Sequence, residues 1–75
     1  MNVTVYSKPN CMQCNFTKKY LKEHDIAFKE VDVTQDEVAL NKIKDMGYQA
    51  VPVVVTKDDN WYGFRPEKLA ELVGK

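Results

Sequence analysis

The first third of the chain changes from strand-like to helix-like spacing of apolar residues and back. Val3-Thr4-Val5-Tyr6 is β-branched and aromatic, which predicts a short strand, and turn-forming residues 7–10 end it. From about Met12 to His24 the apolar residues recur at helical spacing. Three of them define the face that we expect to be buried: Phe16, Tyr20 and Leu21. Residues 26–33 have the composition of a second strand, with clean alternation only over Val31-Asp32-Val33.

The middle of the chain predicts a second helix followed by a buried strand. Thr34-Gln35-Asp36-Glu37 matches the capping box, in which a hydroxyl and a carboxylate cover two backbone N–H groups at a helix start. The helix that follows is expected to turn three side chains inward: Leu40, Ile43 and Met46. Gly47 is expected to end this helix. Residues 51–55 form a nearly continuous apolar run, which suits a central strand.

The last third predicts a hairpin and a final helix. Residues 57–60 have the composition of a turn, and Trp61-Tyr62-Gly63-Phe64 follows as a fourth strand, antiparallel to the third. Pro66 suits the first position of a helix. That helix carries Leu69, Leu72 and Val73. The order is βαβαββα, an α/β fold in which a four-stranded mixed sheet is flanked by three helices. We expect residues 1–75 to form one domain.

Length, net charge and the distribution of apolar residues exclude several classes of function. The chain has 75 residues, a formal net charge of zero and two cysteines. This length leaves room for one domain and not for a multidomain enzyme with a large cofactor cleft. Nucleic-acid binding is not expected, because no basic stripe is available to displace counterions. No apolar run approaches the ~20 residues that span a bilayer, and the N-terminus lacks the pattern of a signal peptide. We therefore expect a cytoplasmic protein that engages neither membrane nor nucleic acid.

Both cysteines lie in one short motif, Cys11-Met12-Gln13-Cys14, between the first strand and the first helix. A disulfide that closes so small a loop restricts the unfolded chain little, so a structural role explains the motif poorly. The N-terminal end of a helix carries partial positive charge, which favours a thiolate over a thiol, and Lys8 adds a cation nearby. The motif therefore predicts thiol–disulfide exchange without a bound cofactor. Cys11 attacks a partner disulfide, and Cys14 resolves the mixed disulfide.

Two alternatives to redox chemistry stay open. Two thiolates supply half of a tetrahedral zinc shell. The one other soft ligand, His24, lies late on the first helix and away from the motif, so a metal site needs a second chain. In a plain protein-interaction module the cysteine pair would be incidental. The spacer residues Met12 and Gln13 are expected to be exposed beside the nucleophile, where Met12 offers partners an adaptable apolar contact.

Three segments of the chain together resemble the thioredoxin superfamily. They are the Cys-x-x-Cys motif after a strand, Ala50-Val51-Pro52-Val53-Val54, and Trp61-Tyr62-Gly63-Phe64-Arg65-Pro66. By size and by the position of Cys11 the chain resembles glutaredoxins. More narrowly it resembles the NrdH-redoxins, the glutaredoxin-like hydrogen donors of ribonucleotide reductase, over essentially its whole length. Family members usually carry Ser or Thr where this chain has Tyr62.

The resemblance implies a site and a set of partners. Val51-Pro52 should be a cis peptide beside the Cys-x-x-Cys loop, where the backbone of Val51 pairs with an extended substrate segment. Electrons should come from NADPH through thioredoxin reductase and pass to the active-site disulfide of the large subunit of a class Ib ribonucleotide reductase. Residues 63–67 depart from the Gly-Gly turn and acidic helix start of glutathione-using glutaredoxins. A glutathione-dependent glutaredoxin stays open as an alternative, as does a metal- or iron–sulfur-binding dimer through Cys11. We expect a monomer.

The segment that follows the hairpin turn is expected to support the site rather than to react. Gly63 should supply a backbone conformation or a close approach that other residues cannot. Phe64 is expected to pack, and Trp61 is either core or part of a partner surface. Arg65 at a helix N-terminus opposes the helix dipole by roughly 0.3–1 kcal/mol, so we expect hydrogen bonds with the hairpin to hold it. Three lysines are expected to form a solvated face of the first helix: Lys18, Lys19 and Lys22.

Overall fold

The order of elements along the chain is the one that the residue pattern predicts. The structure, a computed structural model, describes residues 3–73, so residues 1, 2, 74 and 75 of the expected domain lie outside the described residues. The strands are β1 (Thr4–Ser7), β2 (Lys29–Asp32), β3 (Val53–Val55) and β4 (Asn60–Tyr62). The helices are α1 (Met12–Glu23), α2 (Glu37–Asp45) and α3 (Pro66–Val73). In the described part of the chain, no helix is long and apolar enough to cross a membrane. The predicted βαβαββα order is confirmed.

β1 and β3 form the middle of a mixed sheet with the strand order β2-β1-β3-β4. Tyr6 of β1 lies opposite Val31 of β2 in a parallel pair and opposite Val53 of β3 in an antiparallel pair. β3 and β4 form the antiparallel hairpin, with Val54 opposite Trp61. The sheet is mixed because a helix connects β1 to β2, whereas a short turn connects β3 to β4.

Alternation along the strands gives the sheet two apolar faces, each covered by helices. One cluster joins the sheet to α1 and α3: Val3, Val5, Leu21, Val54, Trp61, Leu69 and Leu72. The other joins it to α2: Tyr6, Val33, Ala39, Ile43 and Val53. Successive residues of a strand point to opposite faces, which is why neighbours such as Val53 and Val54 enter different clusters. Trp61 is only 5% exposed, so it belongs to the core.

The buried face of α1 differs from the predicted one. Cys14, Thr17 and Leu21 point inward, whereas Phe16 is 47% exposed and Tyr20 is partly buried. The interior therefore receives a cysteine and a threonine, whose hydroxyl donates to the backbone carbonyl oxygen one turn earlier at 2.9 Å. Leu21 is buried as predicted, but Phe16 is not, because Cys14 and Thr17 take the inward positions instead.

Strand ends also differ from the predicted ones. β1 begins one residue later than predicted, and β2 begins at Lys29 rather than at residue 26. Ile26 and Phe28 instead pack against the core from the loop before β2. β3 begins at Val53, after Pro52, which has no N–H to donate to a ladder. β4 spans Asn60–Tyr62 rather than residues 61–64.

The predicted capping box is wrong, because Thr34 lies before the helix start. The N-cap of α2 is Asp36, whose carboxylate accepts from the N–H of Ala39 at 3.0 Å. Thr34 instead donates its N–H and its hydroxyl to the carboxylate of Asp32, at 2.8 and 2.6 Å. An aspartate is as good a cap as a threonine, and it starts the helix two residues later.

α1 and α2 both end at a residue with a left-handed backbone. Gly47 follows α2 with φ +94°, and Asp25 follows α1 with φ +55°. In each case the next N–H donates to the carbonyl oxygen five residues earlier, at 3.0 Å after α2 and 2.9 Å after α1. Gly47 ends α2 as predicted, since glycine adopts this conformation without a side-chain clash.

Substitutions at Gly47 and at Asp25 should change the stability of the protein in opposite directions. Gly47→Ala should lower the free energy of unfolding by ~1 kcal/mol, because only the backbone conformation is penalised. No atom lies within 4 Å of the position that the new Cβ would take. Asp25→Gly should raise the free energy of unfolding by ~0.5 kcal/mol, because glycine adopts the left-handed backbone conformation without strain. Urea unfolding of the oxidised proteins measures both, and equal midpoints for Gly47→Ala and the parent protein would contradict this account.

Candidate active site

The turn between β1 and α1 places Cys11 at the first end of the helix. Asn10 has φ +60°, and Cys11 follows in an extended conformation as the N-cap of α1. Asparagine tolerates the left-handed region better than most residues, because its short polar side chain suits it. This turn places Cys11 at the N-cap position of α1.

The sulfur of Cys11 replaces the usual oxygen of a helix cap. The backbone N–H of Cys14 donates to Sγ of Cys11 at 3.2 Å. Backbone N–H groups at this end of a helix lack intrahelical partners and carry partial positive charge, so negative charge on the sulfur is stabilised. No side chain in the first turn of α1 is acidic, so none opposes this effect.

The two cysteines form a disulfide and differ in exposure. Their Cα atoms are 5.2 Å apart, within the range that disulfides span. Cys11 is 8% exposed, and Cys14 is fully buried. Cys11 is thus the more exposed cysteine of the pair, as the sequence predicts.

Val51 and Pro52 lie beside Cys11. The carbonyl oxygen of Val51 is 4.0 Å from Sγ of Cys11. The Val51-Pro52 peptide bond is cis, as the resemblance implied, and Pro52 is buried while Val51 is partly exposed. Among the described residues, no backbone–backbone hydrogen bond uses the N–H of Val51. Val51 thus lies next to the sulfur and precedes the first residue of β3.

The loop after β4 is fastened to both sides of the site. The N–H of Gly63 donates to the carbonyl oxygen of Pro52 at 2.8 Å. The N–H of Phe64 donates to Oε1 of Gln13 at 3.3 Å. Gly63 has φ +89°, and a Cβ on it would lie 3.4 Å from the same Gln13 oxygen. Glycine is therefore favoured here by the backbone conformation, because the Gln13 side chain is flexible enough to accommodate a Cβ at that distance.

Met12 and Gln13 are exposed, as predicted, but they differ in role. Met12 is 71% exposed and starts an apolar stripe that continues to Phe16 one turn along α1. The Phe16 ring lies 5.8 Å from that of Phe64, centroid to centroid. Gln13, which we predicted as a partner contact, joins α1 to the loop after β4 through its side-chain oxygen. The sequence offered no signal for this brace, because Gln13 and Phe64 are 51 positions apart.

Arg65 is held by the hairpin, as predicted. Its Nε donates to the carbonyl oxygen of Tyr62 at 3.2 Å, and its guanidinium lies 3.6 Å from the Glu67 carboxylate. These contacts offset the unfavourable position of a cation at the start of α3. Tyr62 takes part through its backbone, so the unusual side chain at this position leaves the contact intact.

A partly exposed polar network near the site was not predicted from the sequence. Ser7 is buried at the end of β1, and its hydroxyl donates to Oε2 of Glu30 at 3.1 Å. The Lys18 ammonium donates to the same oxygen at 2.7 Å. Lys18, which we expected to be solvated, thus joins α1 to β2 one turn beyond Cys14. No local pattern connects these three residues, because they lie on β1, α1 and β2.

The network holds the pKa of Glu30 below its ordinary value of 4.5. The Lys18 hydrogen bond is the largest cause, partial burial opposes it, and the Ser7 hydrogen bond adds to it. Glu30 therefore stays ionised at neutral pH and remains able to accept from both donors.

Metal ligands are not gathered in the described residues. Residues 3–73 contain no group of three or more His, Cys, Asp or Glu side chains placed to hold a metal ion. His24 lies at the opposite end of α1 from the cysteines, where its ring is 4.3 Å from that of Tyr20. The metal alternative would therefore need ligands from a second chain.

A buried cysteine and an accessible one at the start of a helix, next to an open backbone segment, define a thiol–disulfide oxidoreductase. Comparison with known proteins agrees. The glutaredoxin family profile matches residues 3–61. The glutaredoxin-like protein NrdH of Lactococcus lactis subsp. cremoris is 49% identical over 70 residues, covering 93% of this chain and 97% of that protein. Its namesake from Salmonella typhimurium is 33% identical, covering 96% and 89%.

A solved structure shares the whole architecture. The glutaredoxin-like protein NrdH-redoxin from Escherichia coli superposes with a TM-score of 0.93 at 30% identity, over 96% of this chain and 95% of that one. The fold is therefore the predicted thioredoxin fold. The chain belongs to the glutaredoxin family, among its NrdH-type glutaredoxin-like proteins.

The Glu30 network makes stability depend on pH in a defined direction. Because the folded pKa of Glu30 is lowered, its contribution is present above the unfolded value of about 4.5 and is lost as pH falls through that region. Glu30→Gln should therefore destabilise the protein at pH 7 by up to ~1 kcal/mol, because the pair is partly exposed. The difference from the parent protein should shrink below pH 4.5.

Glu23→Gln provides a matched control for that experiment. Glu23 is exposed and lies 3.8 Å from Lys19 on the same helix. Urea unfolding at several pH values should show a pH-dependent difference for Glu30→Gln and almost none for Glu23→Gln. A Glu30→Gln difference that stays constant from neutral to acid pH would contradict the assigned role of the carboxylate.

Proposed function

We propose that this protein is a small electron carrier in which Cys11 is the nucleophile and Cys14 the resolving cysteine. The observation that carries the proposal is the asymmetry of the pair. Sγ of Cys11 caps α1, accepts the Cys14 N–H at 3.2 Å and retains some exposure, whereas Cys14 is fully buried. A helix N-terminus favours thiolate formation, and only an accessible thiolate attacks a partner disulfide.

The proposed exchange conserves electrons and protons. The Cys11 thiolate attacks one sulfur of the partner disulfide, so an S–S bond forms to Cys11, the partner S–S bond breaks and its departing thiolate takes a proton. The Cys14 thiolate then attacks Sγ of Cys11. This step forms the Cys11–Cys14 disulfide and releases the second partner sulfur as a thiol. The partner gains two electrons from the carrier and takes up two protons from water, which balance the two protons that Cys11 and Cys14 release when their thiols become thiolates.

We further propose the donor and the acceptor. Electrons come from NADPH through thioredoxin reductase and pass to the active-site disulfide of the large subunit of a class Ib ribonucleotide reductase. The relatives' shared name NrdH supports the acceptor. The E. coli relative is described by a thioredoxin-like activity profile, which supports the donor. A cytoplasmic monomer of one domain, with no bound cofactor, fits this role, because the redox-active disulfide itself carries the electrons.

The loop after β4 also favours thioredoxin reductase over glutathione. Glutathione-using glutaredoxins present a Gly-Gly turn and a free acidic group at the start of the last helix. Here the single Gly63 is followed by Phe64, and the Glu67 carboxylate lies 3.6 Å from the Arg65 guanidinium. The acidic group is thus paired within the chain. Membership of the glutaredoxin family keeps glutathione as the second candidate donor.

Substitution of each cysteine should give a different result. Cys14→Ser should accumulate a mixed disulfide between Cys11 and the partner, because the resolving thiol is missing. Cys11→Ser should reduce disulfides no faster than the uncatalysed background, because no accessible thiolate remains. Mass spectrometry of the trapped species and a disulfide-reduction assay measure these outcomes. A Cys11→Ser protein with normal turnover would refute the assignment.

Two coupled assays should identify the donor. One supplies NADPH with thioredoxin reductase, and the other supplies NADPH, glutathione and glutathione reductase. We expect reduction of a protein disulfide in the first assay at a rate at least about tenfold above the second, a difference of roughly 1.4 kcal/mol in transition-state stabilisation. A matched glutaredoxin with a Gly-Gly turn should show the reverse order. Turnover of this protein only with glutathione would favour the second candidate.

A further inference from the structure

Gln13 connects the Cys-x-x-Cys turn to a distant segment of the chain. It lies between the two cysteines, at the second position of α1, and its side chain is exposed. Its Oε1 accepts the N–H of Phe64 at 3.3 Å, although 51 positions of sequence separate the two residues. A backbone N–H can only donate, so the Gln13 amide presents its oxygen to Phe64. The contact therefore fixes the orientation of the Gln13 amide.

Gly63 and Phe64 form a strap across the site, because their successive N–H groups bind two different segments. The N–H of Gly63 donates to the carbonyl oxygen of Pro52 at 2.8 Å, directly before β3. The N–H of Phe64 donates to Gln13 on α1. The strap thus runs from the Val51-Pro52 peptide to the spacer between the cysteines, and Gln13 is its attachment on the helix side.

The strap joins the two segments that face each other at the reactive sulfur. The carbonyl oxygen of Val51 lies 4.0 Å from Sγ of Cys11, and the side chain of Cys11 is largely buried. A polypeptide that is bonded to this sulfur therefore contacts the segments on both sides of it, whereas a small disulfide reaches the sulfur with little other contact. Exchange with a polypeptide thus depends on how firmly the two segments are held relative to each other.

A ring contact also joins the strap to α1, but it restricts direction less than the hydrogen bond does. The rings of Phe16 and Phe64 lie 5.8 Å apart, centroid to centroid. Aromatic pairs tolerate a range of angles, whereas a hydrogen bond weakens steeply as its alignment is lost. The hydrogen bond to Gln13 is therefore the contact that sets the position of the strap along the helix.

We propose that Gln13 is a positioning residue for exchange with polypeptide disulfides. It acts through the Gly63-Phe64 strap, which it holds in place against the Cys-x-x-Cys turn while a partner chain is bonded to Cys11. Gln13 is uncharged, and the N–H that caps Sγ of Cys11 belongs to Cys14, so Gln13 affects geometry rather than the stability of the thiolate. This inference rests on the proposed function, because it concerns the mixed disulfide that Cys11 forms.

Two substitutions of Gln13 separate the hydrogen bond from the bulk of the side chain. Gln13→Met keeps an unbranched side chain of similar length but replaces the oxygen with a weakly accepting thioether. Gln13→Glu keeps an oxygen that accepts the Phe64 N–H. It loses only the amide N–H groups, which make no hydrogen bond among residues 3–73. Asn15→Leu is the matched control, because it also replaces an exposed amide in the first turn of α1 by an apolar side chain of similar size.

The activity test compares a polypeptide disulfide with a small one. The reduced proteins react with insulin or with the neutral bis(2-hydroxyethyl) disulfide, at about 1 M salt so that the charge of the Gln13→Glu side chain is screened beyond ~3 Å. Gln13→Met should lower the ratio of the insulin rate to the small-disulfide rate about two- to tenfold, the range that the net strength of one hydrogen bond gives. Gln13→Glu and Asn15→Leu should leave this ratio unchanged.

Hydrogen exchange gives a readout that does not depend on activity. In the oxidised proteins the Phe64 N–H should exchange about two- to tenfold faster in Gln13→Met than in the parent protein. In Gln13→Glu it should exchange at the parent rate. The Ile26 N–H, which donates to the carbonyl oxygen of Leu21 at 2.9 Å beyond the far end of α1, is the internal reference and should not change. Equal Phe64 exchange in Gln13→Met and the parent protein would overturn the inference.

The outcomes distinguish this inference from the proposed function. If the parent protein reduces neither disulfide, the proposed function fails. If it reduces both and Gln13→Met keeps the parent ratio, only the inference fails. A Gln13→Met loss of equal size for both disulfides would also overturn the inference, because the thiolate rather than the strap would then be affected. A Gln13→Glu protein that behaves like Gln13→Met would overturn it as well, because the accepting oxygen would then not be the group that acts.

Discussion

The N-cap contact between the Cys14 N–H and Sγ of Cys11 is the interaction around which the rest of the site is arranged. A helix start leaves backbone N–H groups without partners, and here a sulfur occupies the place of the usual oxygen. The contact needs the turn at Asn10 to aim Cys11 and the burial of Cys14 to keep the helix start rigid. The same backbone N–H groups thus start the helix and stabilise the charge of a thiolate.

The surroundings of the sulfur come from segments distant in sequence. Pro52 accepts the N–H of Gly63, and Gln13 accepts that of Phe64, so one loop is fixed to both the strand side and the helix side of the dithiol. Gly63 suits this double attachment because its φ of +89° is a backbone conformation that residues with a side chain rarely adopt. The site therefore has a fixed frame, and Val51 lies partly exposed beside the sulfur.

Much of this arrangement was predictable from short-range patterns. Alternation and helical spacing predicted all seven elements, Pro66 marked the start of α3 and Gly47 the end of α2. The Cys-x-x-Cys spacing predicted the chemistry, because it concerns residues one helical turn apart. The errors fell where a neighbour in space decided the outcome. Phe16 is exposed beside Phe64 while Thr17 is buried, and Asp36 rather than Thr34 caps α2.

By itself the sequence determined the order of elements and the position of the reactive pair, since propensity, periodicity and motif spacing are local properties. The resemblance of three segments to known redoxins indicated the family. Only the tertiary structure decided which carbonyl lies beside the Cys11 sulfur and which charges neutralise one another. Ser7, Lys18 and Glu30 form one network although they lie on three different elements. The physical reason is that hydrogen bonds and ion pairs act over a few ångströms in space, and the packing of helices on the sheet sets those distances.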